Sequence, residues 1–186
     1  MLGVAESQQL PVAQARIGSS EAWDKLFQRY QLPLYVYVCE LLQNEQTSLD
    51  VVQETFINAV RHLDSLRDDD RFGSWLFGIA HQKCIQHWRK QSRHARLLDG
   101  LDALADPEPL LQEAPDELLI QQEQESEFMQ HLSELPVPQR AVLLLHFVED
   151  FSLEEIARIT GAQLGTVKSR LFYAKRALRK LLEARV

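Results

Sequence analysis

The cationic side chains in two segments of this 186-residue sequence are the residues with the clearest chemistry. Residues 163–186 contain seven Lys and Arg residues against one acid, Glu183. Residues 71–94 contain five Lys and Arg residues and no Asp or Glu. Because guanidinium and ammonium groups bind phosphate oxygens and base edges, these two segments predict two separate contacts with nucleic acid.

The net charge of -7 does not argue against this prediction, because the acids are concentrated elsewhere. Residues 95–124 hold eight Asp and Glu residues against a single Arg96. The acidic, proline-containing stretch at residues 96–115 is typical of a flexible linker. A protein that binds one nucleic acid at two places, with a non-binding tether between them, would have this charge distribution.

Residues suited to other chemistry are sparse. His81, Cys84 and His87 are spaced three apart, which on one helix is compatible with a metal site. We favour a structural or DNA-facing role, because no second cluster of ligands accompanies them. The sequence shows neither a glycine-rich phosphate loop nor a nucleophile with its base. We therefore expect no catalytic residues, no cofactor and no metal, and we expect Cys39 and Cys84 to be reduced thiols.

The elements that position the C-terminal cations have the pattern of a helix-turn-helix. Ser152 and Glu155 form a predicted capping box that starts its first helix. Gly161 supplies the left-handed turn that ends this helix, and Thr166 is expected to cap the second. The alternative is an ordinary helical hairpin whose basic face is only solvated. The combination of cap, turn glycine and a nearly acid-free second helix favours DNA binding in a major groove.

Apolar periodicity predicts helices along most of the remaining chain. The predicted helical segments are residues 22–42 with a break or restart at Pro33, then 48–63, 72–90, 116–135 and 138–148. Ser19 and Ser20 are a plausible cap, residues 64–71 form a polar loop, and residues 1–18 have the composition of a loose tail. The sequence contains neither a signal peptide nor an apolar run of membrane-spanning length, which predicts a cytoplasmic protein.

Several short motifs occur in series along the chain. They are DVVQETF (residues 50–56), FGSWLFGIA (72–80), LPVPQR (135–140), SLEEIA (152–157) and GTVKSRL (165–171). Their order and spacing resemble the extracytoplasmic function group of the bacterial sigma-70 family, over roughly residues 20–95 and 116–184. The resemblance implies an all-α fold with two small helical domains. After the tail at 1–18, sigma domain 2 would span 19–95, the acidic linker 96–115, and sigma domain 4, with the helix-turn-helix, 116–186.

The resemblance also implies three sets of site residues. It assigns binding of the clamp helices of the largest polymerase subunit to Asp50, Gln53 and Glu54. It assigns capture and melting of the promoter -10 element to the loop at 64–71 and the helix after it, with candidates Arg71, Phe72, Lys83, Trp88, Arg89 and Lys90. It assigns recognition of the -35 element to Thr166, Lys168, Ser169, Arg170, Phe172, Tyr173 and Arg176.

The sequence departs from the family pattern in the segment expected to bind the -10 element. His81 and Gln82 stand where Arg-Asn is common, and Gln86 stands where Asp is common. Asp68, Asp69 and Asp70 form a run of acids in a loop that should approach DNA. These departures leave the -10 sequence preference unpredictable.

The function implied by the resemblance is that of a dissociable promoter-specificity subunit of RNA polymerase. Its partners would be bacterial core RNA polymerase, promoter DNA and an anti-sigma factor that masks the docking and DNA-binding faces. Two alternatives stay open: a freestanding helix-turn-helix regulator, and a sigma mimic that titrates an anti-sigma protein. Lys168, Arg170 and Arg176 argue against the mimic, whose recognition helix need not stay basic. The linker would thread the polymerase cleft or serve only as a tether.

Overall fold

The protein, seen in a computed structural model, is described over residues 10–99 and 131–183. Its regular elements in these two ranges are helices, which confirms the all-α fold class expected from the sequence. The α-helices include α1 (Val12–Arg16), α2 (Ser20–Leu42), α3 (Glu45–His62), α4 (Phe72–Asp99), α5 (Val137–Phe147), α6 (Leu153–Thr160) and α7 (Leu164–Glu183). Two short 3-10 helices, Leu63–Ser65 and Asp69–Arg71, lie between α3 and α4. From position 100 onward the predicted linker lies outside the described residues, as does the predicted helix at 116–135 up to residue 130.

The predicted loose tail is wrong over its last part, because residues 12–16 form the short helix α1. Val12 and Ala15 on this helix are buried, with 0% and 3% of their surface exposed. The Trp23 indole donates a hydrogen bond to the Ala15 carbonyl oxygen over 3.1 Å, which joins α1 to α2. A five-residue helix is too short to show apolar periodicity, so the sequence pattern did not predict it.

Helix α2 runs unbroken from Ser19, whose side chain caps it, to Leu42, so the break predicted at Pro33 is wrong. A proline in a helix interior costs about 3 kcal/mol, because it removes one donor and crowds the preceding turn. Buried side chains lie on both sides of it, at Tyr30, Leu34 and Tyr37. Since burial of an apolar side chain such as Leu34 contributes roughly 1.5–3 kcal/mol, and the two buried tyrosine rings add to this, packing outweighs the local cost.

Helices α3 and α4 both extend beyond their predicted bounds. Asn44 caps α3, since its side-chain oxygen accepts a hydrogen bond from the Thr47 amide over 2.9 Å. Helix α4 continues to Asp99, into the segment predicted as linker. Its first turns approach α2 closely, because a Cβ on Gly73 would lie 2.9 Å from the Tyr30 hydroxyl oxygen. Glycine at this position therefore allows the two helices to pack together.

The second half of the chain contains the predicted helix-turn-helix, formed by α6 and α7. The capping box is confirmed: the Ser152 side chain accepts from the Glu155 amide and the Glu155 carboxylate accepts from the Ser152 amide. Gly161 ends α6 with a φ of 67°, which confirms the left-handed turn. The prediction that Thr166 caps α7 is wrong, because this helix begins two residues earlier, at Leu164.

The helices of residues 10–99 pack directly on those of residues 131–183, and these two ranges are called the two halves of the chain. Helix α6 lies against α4, and α5 lies against α2, so that buried apolar residues of both halves form one continuous cluster. The Phe77 and Phe151 rings meet edge to face, with centroids 5.3 Å apart. Two pairs of opposite charges cross the same boundary, Arg140 with Glu40 at 4.0 Å and Arg29 with Glu149 at 3.7 Å.

Candidate nucleic-acid interface

The start of α7 presents a polar and basic surface to solvent. Val167, Leu171 and Ala174 form its buried stripe, with 0%, 7% and 0% of their surface exposed. The opposite face is exposed and carries predicted site residues: Thr166, Lys168, Ser169, Phe172, Tyr173 and Arg176. Phe172 is therefore a surface ring rather than part of the core, and it packs edge to face on Tyr173 with centroids 5.5 Å apart.

Arg170 differs from its neighbours on α7 because it is half-buried between the two halves of the chain. Its guanidinium lies near enough to α4 to act on His81. Burial, together with the charge of Arg170, lowers the pKa of His81 from 6.5 to about 4. The neutral imidazole is held by the Tyr37 hydroxyl, whose oxygen lies 2.8 Å from His81 Nδ1.

The residues predicted for the -10 element occupy different environments. Arg71, Arg89 and Lys90 are exposed, and Trp88 is half-buried. The prediction that Phe72 faces DNA is wrong, because its ring is completely buried. It packs among Trp23, Tyr30 and Trp75, at centroid distances of 6.4, 5.5 and 5.9 Å, and fixes the start of α4 to α2.

Lys83 connects two predicted sites that are far apart in sequence. Its ammonium lies 2.7 Å from a carboxylate oxygen of Glu54 on α3, and only 15% of its side chain is exposed. Asp50, Gln53 and Glu54 are all exposed on that face of α3, as a docking surface requires. Lys83 therefore neutralises part of the predicted polymerase-binding face rather than pointing freely to solvent.

A cavity of about 620 Å³ lies beside these residues. The loop at 64–71 contributes Leu66, Arg67, Asp68 and Arg71 to its lining, and α6 contributes Arg158 and Ile159. The lining also includes the side-chain amides of Asn58, Gln82 and Gln86, the ring of Trp75, and the side chains of Ser74 and Lys83. The sequence did not point to Asn58 or Arg67 as residues of this site. For Gln82 and Gln86 a signal was present, because they are spaced four apart and share a face of α4 with Ile79 and Lys83.

The run of acids in the loop is engaged within the protein. Asp68 forms an ion pair with Arg71 over 3.0 Å, and its carboxylate accepts a hydrogen bond from the Asp70 amide. Asp69 is bound by Arg16 of α1 over 2.6 Å. Two of the three carboxylates thus have internal cationic partners, which removes most of the conflict between this loop and an approaching phosphate backbone.

The His81, Cys84 and His87 cluster does not have the arrangement of a metal site. In the part of the chain that the structure describes, no group of three or more His, Cys, Asp and Glu residues is placed to hold a metal ion. His81 and Cys84 are buried in the core, where burial raises the pKa of the Cys84 thiol to about 12. Among the described residues no helix has both the length and the apolar composition needed to cross a membrane.

Family models match both halves of the chain. The model for sigma-70 region 2 matches residues 26–94, and the model for sigma-70 region 4 matches residues 126–178. The RNA polymerase sigma-H factor of Pseudomonas aeruginosa is 32% identical, covering 98% of this chain and 97% of its own length. The ECF RNA polymerase sigma-E factor of Escherichia coli K12 is also 32% identical, over 91% of each chain.

A solved structure shares the arrangement of helices. The sigma factor RpoE of Bartonella quintana, in complex with the anti-sigma factor NepR, matches with a TM-score of 0.65 and 26% identity. The match covers 86% of this chain and 98% of that one. With two family models in the expected order and relatives matched over nearly their whole length, the chain belongs to the sigma-70 family of RNA polymerase sigma factors, in its extracytoplasmic function group.

Proposed function

We propose that this sigma factor divides promoter recognition between its two halves. The domains would be a sigma domain 2 at 19–95 and a sigma domain 4 at 116–186, with a linker at 96–115. The observation that carries the proposal is that one chain presents both an exposed basic helix start and a separate cavity lined by cations and amides. The exposed helix start suits binding of a DNA duplex, and the cavity suits binding of an unpaired DNA strand.

The first turns of α7 bind the -35 element in this proposal. Lys168 and Ser169 are exposed beside Thr166 at the end of the helix that enters a major groove. An arginine that bonds to guanine with two hydrogen bonds contributes about 1–3 kcal/mol of discrimination. Arg170 is suited to this role once its half-buried side chain is free of α4, and Lys168 adds phosphate affinity that depends on salt.

The side of the cavity formed by α4 and the loop at 64–71 receives an unpaired base of the -10 element once α6 has moved away. Extruding a base costs a few kcal/mol, so the protein must offer stacking, hydrogen bonds and phosphate contacts in return. Trp75 supplies a ring and Gln82 and Gln86 supply amide groups, while Arg67 and Arg71 supply cations at the rim. The amides replace charged or differently shaped side chains of the family pattern, so we expect an altered base preference.

Promoter binding requires the two halves to separate in this proposal. Arg158 and Ile159 of α6 line the cavity, and Arg170 is turned toward α4, so the packed arrangement obstructs both DNA-binding sites. A relative of similar fold forms a complex with an anti-sigma factor. We infer that an anti-sigma factor also controls this chain, by binding the packed form.

The polymerase-docking role belongs to Asp50, Gln53 and Glu54 on the exposed face of α3. RNA synthesis itself belongs to the polymerase, so the chain acts without catalytic residues of its own. Since bacterial core polymerase works on the chromosome, the proposal places the chain in the cytoplasm.

The test combines assembly with transcription. Purified chain is mixed with bacterial core polymerase at low salt and passed through a sizing column, and the mixture is then assayed on promoters mapped from transcripts induced by overproducing the chain. We expect co-elution and run-off products that depend on the chain. Tight duplex binding by the chain alone, with no effect on core polymerase, would instead support a freestanding regulator.

A further inference from the structure

Arg16 bonds to two residues of the loop that lines the cavity. Its guanidinium donates to both carboxylate oxygens of Asp69, over 2.6 and 3.4 Å. The same group donates to the backbone carbonyl of Leu66 over 3.0 Å. One side chain from the N-terminal segment therefore holds two points of the loop, 50 and 53 residues away in sequence.

The loop has two sides with different contacts. Leu66, Arg67 and Asp68 line the cavity, whereas Asp69 turns away from it toward Arg16. Holding Leu66 by its carbonyl and Asp69 by its carboxylate fixes the backbone on both sides of Arg67 and Asp68. The orientation of those two side chains toward the cavity thus depends on a residue that does not line it.

The helix that carries Arg16 is packed into the core. Arg16 is the last residue of α1, whose Val12 and Ala15 are buried, and the Trp23 indole bonds to the Ala15 carbonyl. The Trp23 ring also packs against Phe72, which starts the helix on the other side of the loop. Arg16 is therefore anchored, through α1 and Trp23, to the same core as the start of α4.

We propose that Arg16 is a positioning residue for capture of the unpaired -10 strand, acting through Asp69 and Leu66 on the loop at 64–71. This inference rests on the proposed function of the cavity. Arginine suits this position better than lysine, because its planar guanidinium donates two hydrogen bonds to a carboxylate and still reaches a carbonyl, which a lysine ammonium does less well. Loss of Arg16 also leaves the Asp69 carboxylate uncompensated beside the path of the DNA.

The test compares Arg16→Ala, Arg16→Lys, Asp69→Ala and the double variant of Arg16→Ala with Asp69→Ala against the matched control Lys25→Ala. Lys25 forms an ion pair of similar length, 2.9 Å to Glu21, on an exposed turn of α2. Each variant is assembled with core polymerase and titrated with fluorescent fork-junction DNA whose -10 strand is unpaired. Core affinity, binding of a -35 duplex and the thermal midpoint are measured alongside.

We expect Arg16→Ala to weaken fork-junction binding roughly tenfold, as when the competent loop conformation falls to about a tenth of the population. Arg16→Lys should recover part of this loss, and Arg16→Ala combined with Asp69→Ala should be no weaker than either change alone. Core affinity and -35 binding should stay unchanged in all of them.

Fork-junction binding by Arg16→Ala equal to that of Lys25→Ala would overturn the inference. An equal loss of core affinity or a collapse of the thermal midpoint in Arg16→Ala and Arg16→Lys would overturn it too, by showing general support of the fold. If the unchanged chain does not prefer fork-junction DNA to a closed duplex, the proposed function of the cavity fails first, and the inference fails with it.

Discussion

At the scale of single residues, neighbouring cations of α7 have different surroundings and different expected roles. Lys168 is exposed, whereas Arg170 is half-buried near His81. The sequence pattern predicted both to lie near the start of the second helix of the helix-turn-helix, and the structure places them in the first two turns of α7. Their exposure depends on how α7 lies against α4, which sequence position does not specify.

Replacing Lys168 by alanine should weaken binding of a promoter duplex without changing affinity for core polymerase. A lysine on a phosphate releases about one counterion, so the slope of log affinity against log salt should fall by roughly one. The measurement is a salt titration of duplex binding by the holoenzyme, with Lys25→Ala as control. An unchanged salt slope would show that Lys168 does not contact a phosphate.

His81 should make the protein sensitive to acid. Its pKa is about 4 in the folded protein, below the ordinary value of 6.5, so protons bind preferentially to the unfolded chain. The stabilisation that comes from keeping His81 neutral is therefore fully present above pH 6.5 and is lost as the pH falls toward 4. By pH 5 the free energy of unfolding should have fallen by about 2 kcal/mol.

The check for His81 is urea unfolding between pH 7 and pH 5, compared with His81→Gln. Glutamine can keep a hydrogen bond to the Tyr37 hydroxyl but does not titrate in this range. The variant should be less stable at neutral pH and should lose less stability on acidification. Identical pH profiles for the two proteins would mean that the acid sensitivity comes from other groups.

At the scale of elements, local signals determined where the helix-turn-helix begins and turns. The capping box at Ser152 and the left-handed Gly161 act over three or four residues of chain, and both were correctly predicted. The cap of α7 was misplaced at Thr166, because a threonine can cap a helix but Leu164 already has helical geometry here. The Gln163 carbonyl accepts from the Val167 amide over 3.0 Å, which closes the first turn.

Replacing Ser152 by alanine should destabilise α6, because the capping box satisfies amides that the helix itself leaves unpaired. The loss is expected to be about 1 kcal/mol in the free energy of unfolding. Chemical denaturation followed by circular dichroism measures it, with Ser20→Ala as the control, since Ser20 is exposed and follows the capping residue Ser19. A loss no larger than in the control would exclude the capping contribution.

At the scale of the whole molecule, the boundary between the two halves of the chain brings charged groups of each half against the other. The packing of α6 on α4 places Arg158 against the cavity. Glu149, between α5 and α6, lies beside Arg29 of α2, and only 4% of its side chain is exposed. Burial raises the pKa of the Glu149 carboxyl, although nearby Arg29 opposes the shift. The boundary between the halves thus contains charged groups that regain solvent when it opens.

Locking the two halves together should block promoter binding. Gln86→Cys and Arg158→Cys introduce thiols at two exposed positions that line the same cavity, in a Cys39→Ala background. Bridging them with a reducible linker should lower run-off transcription to less than roughly a tenth, since the open form is then barely populated. Activity should return on reduction.

Controls for the locked protein are the two single-cysteine variants treated with the same reagent. They separate the effect of the bridge from the effect of changing Gln86 or Arg158 themselves. Full transcription by the bridged protein would show that DNA reaches its sites without separation of the halves.

The sequence alone determined the family, the helical fold and the location of the basic segments, because motifs, caps and charge runs are local properties of the chain. It placed Lys168 and Ser169 at an exposed helix start and Asp50, Gln53 and Glu54 on an exposed face. The tertiary structure decided that Phe72 is core, that α6 covers the cavity, and that Arg16 binds Asp69 across 53 residues. The reason is that burial and contacts between distant residues arise from packing of whole helices, and no pattern within a few residues of Phe72 or Arg16 specifies which neighbours packing brings to them.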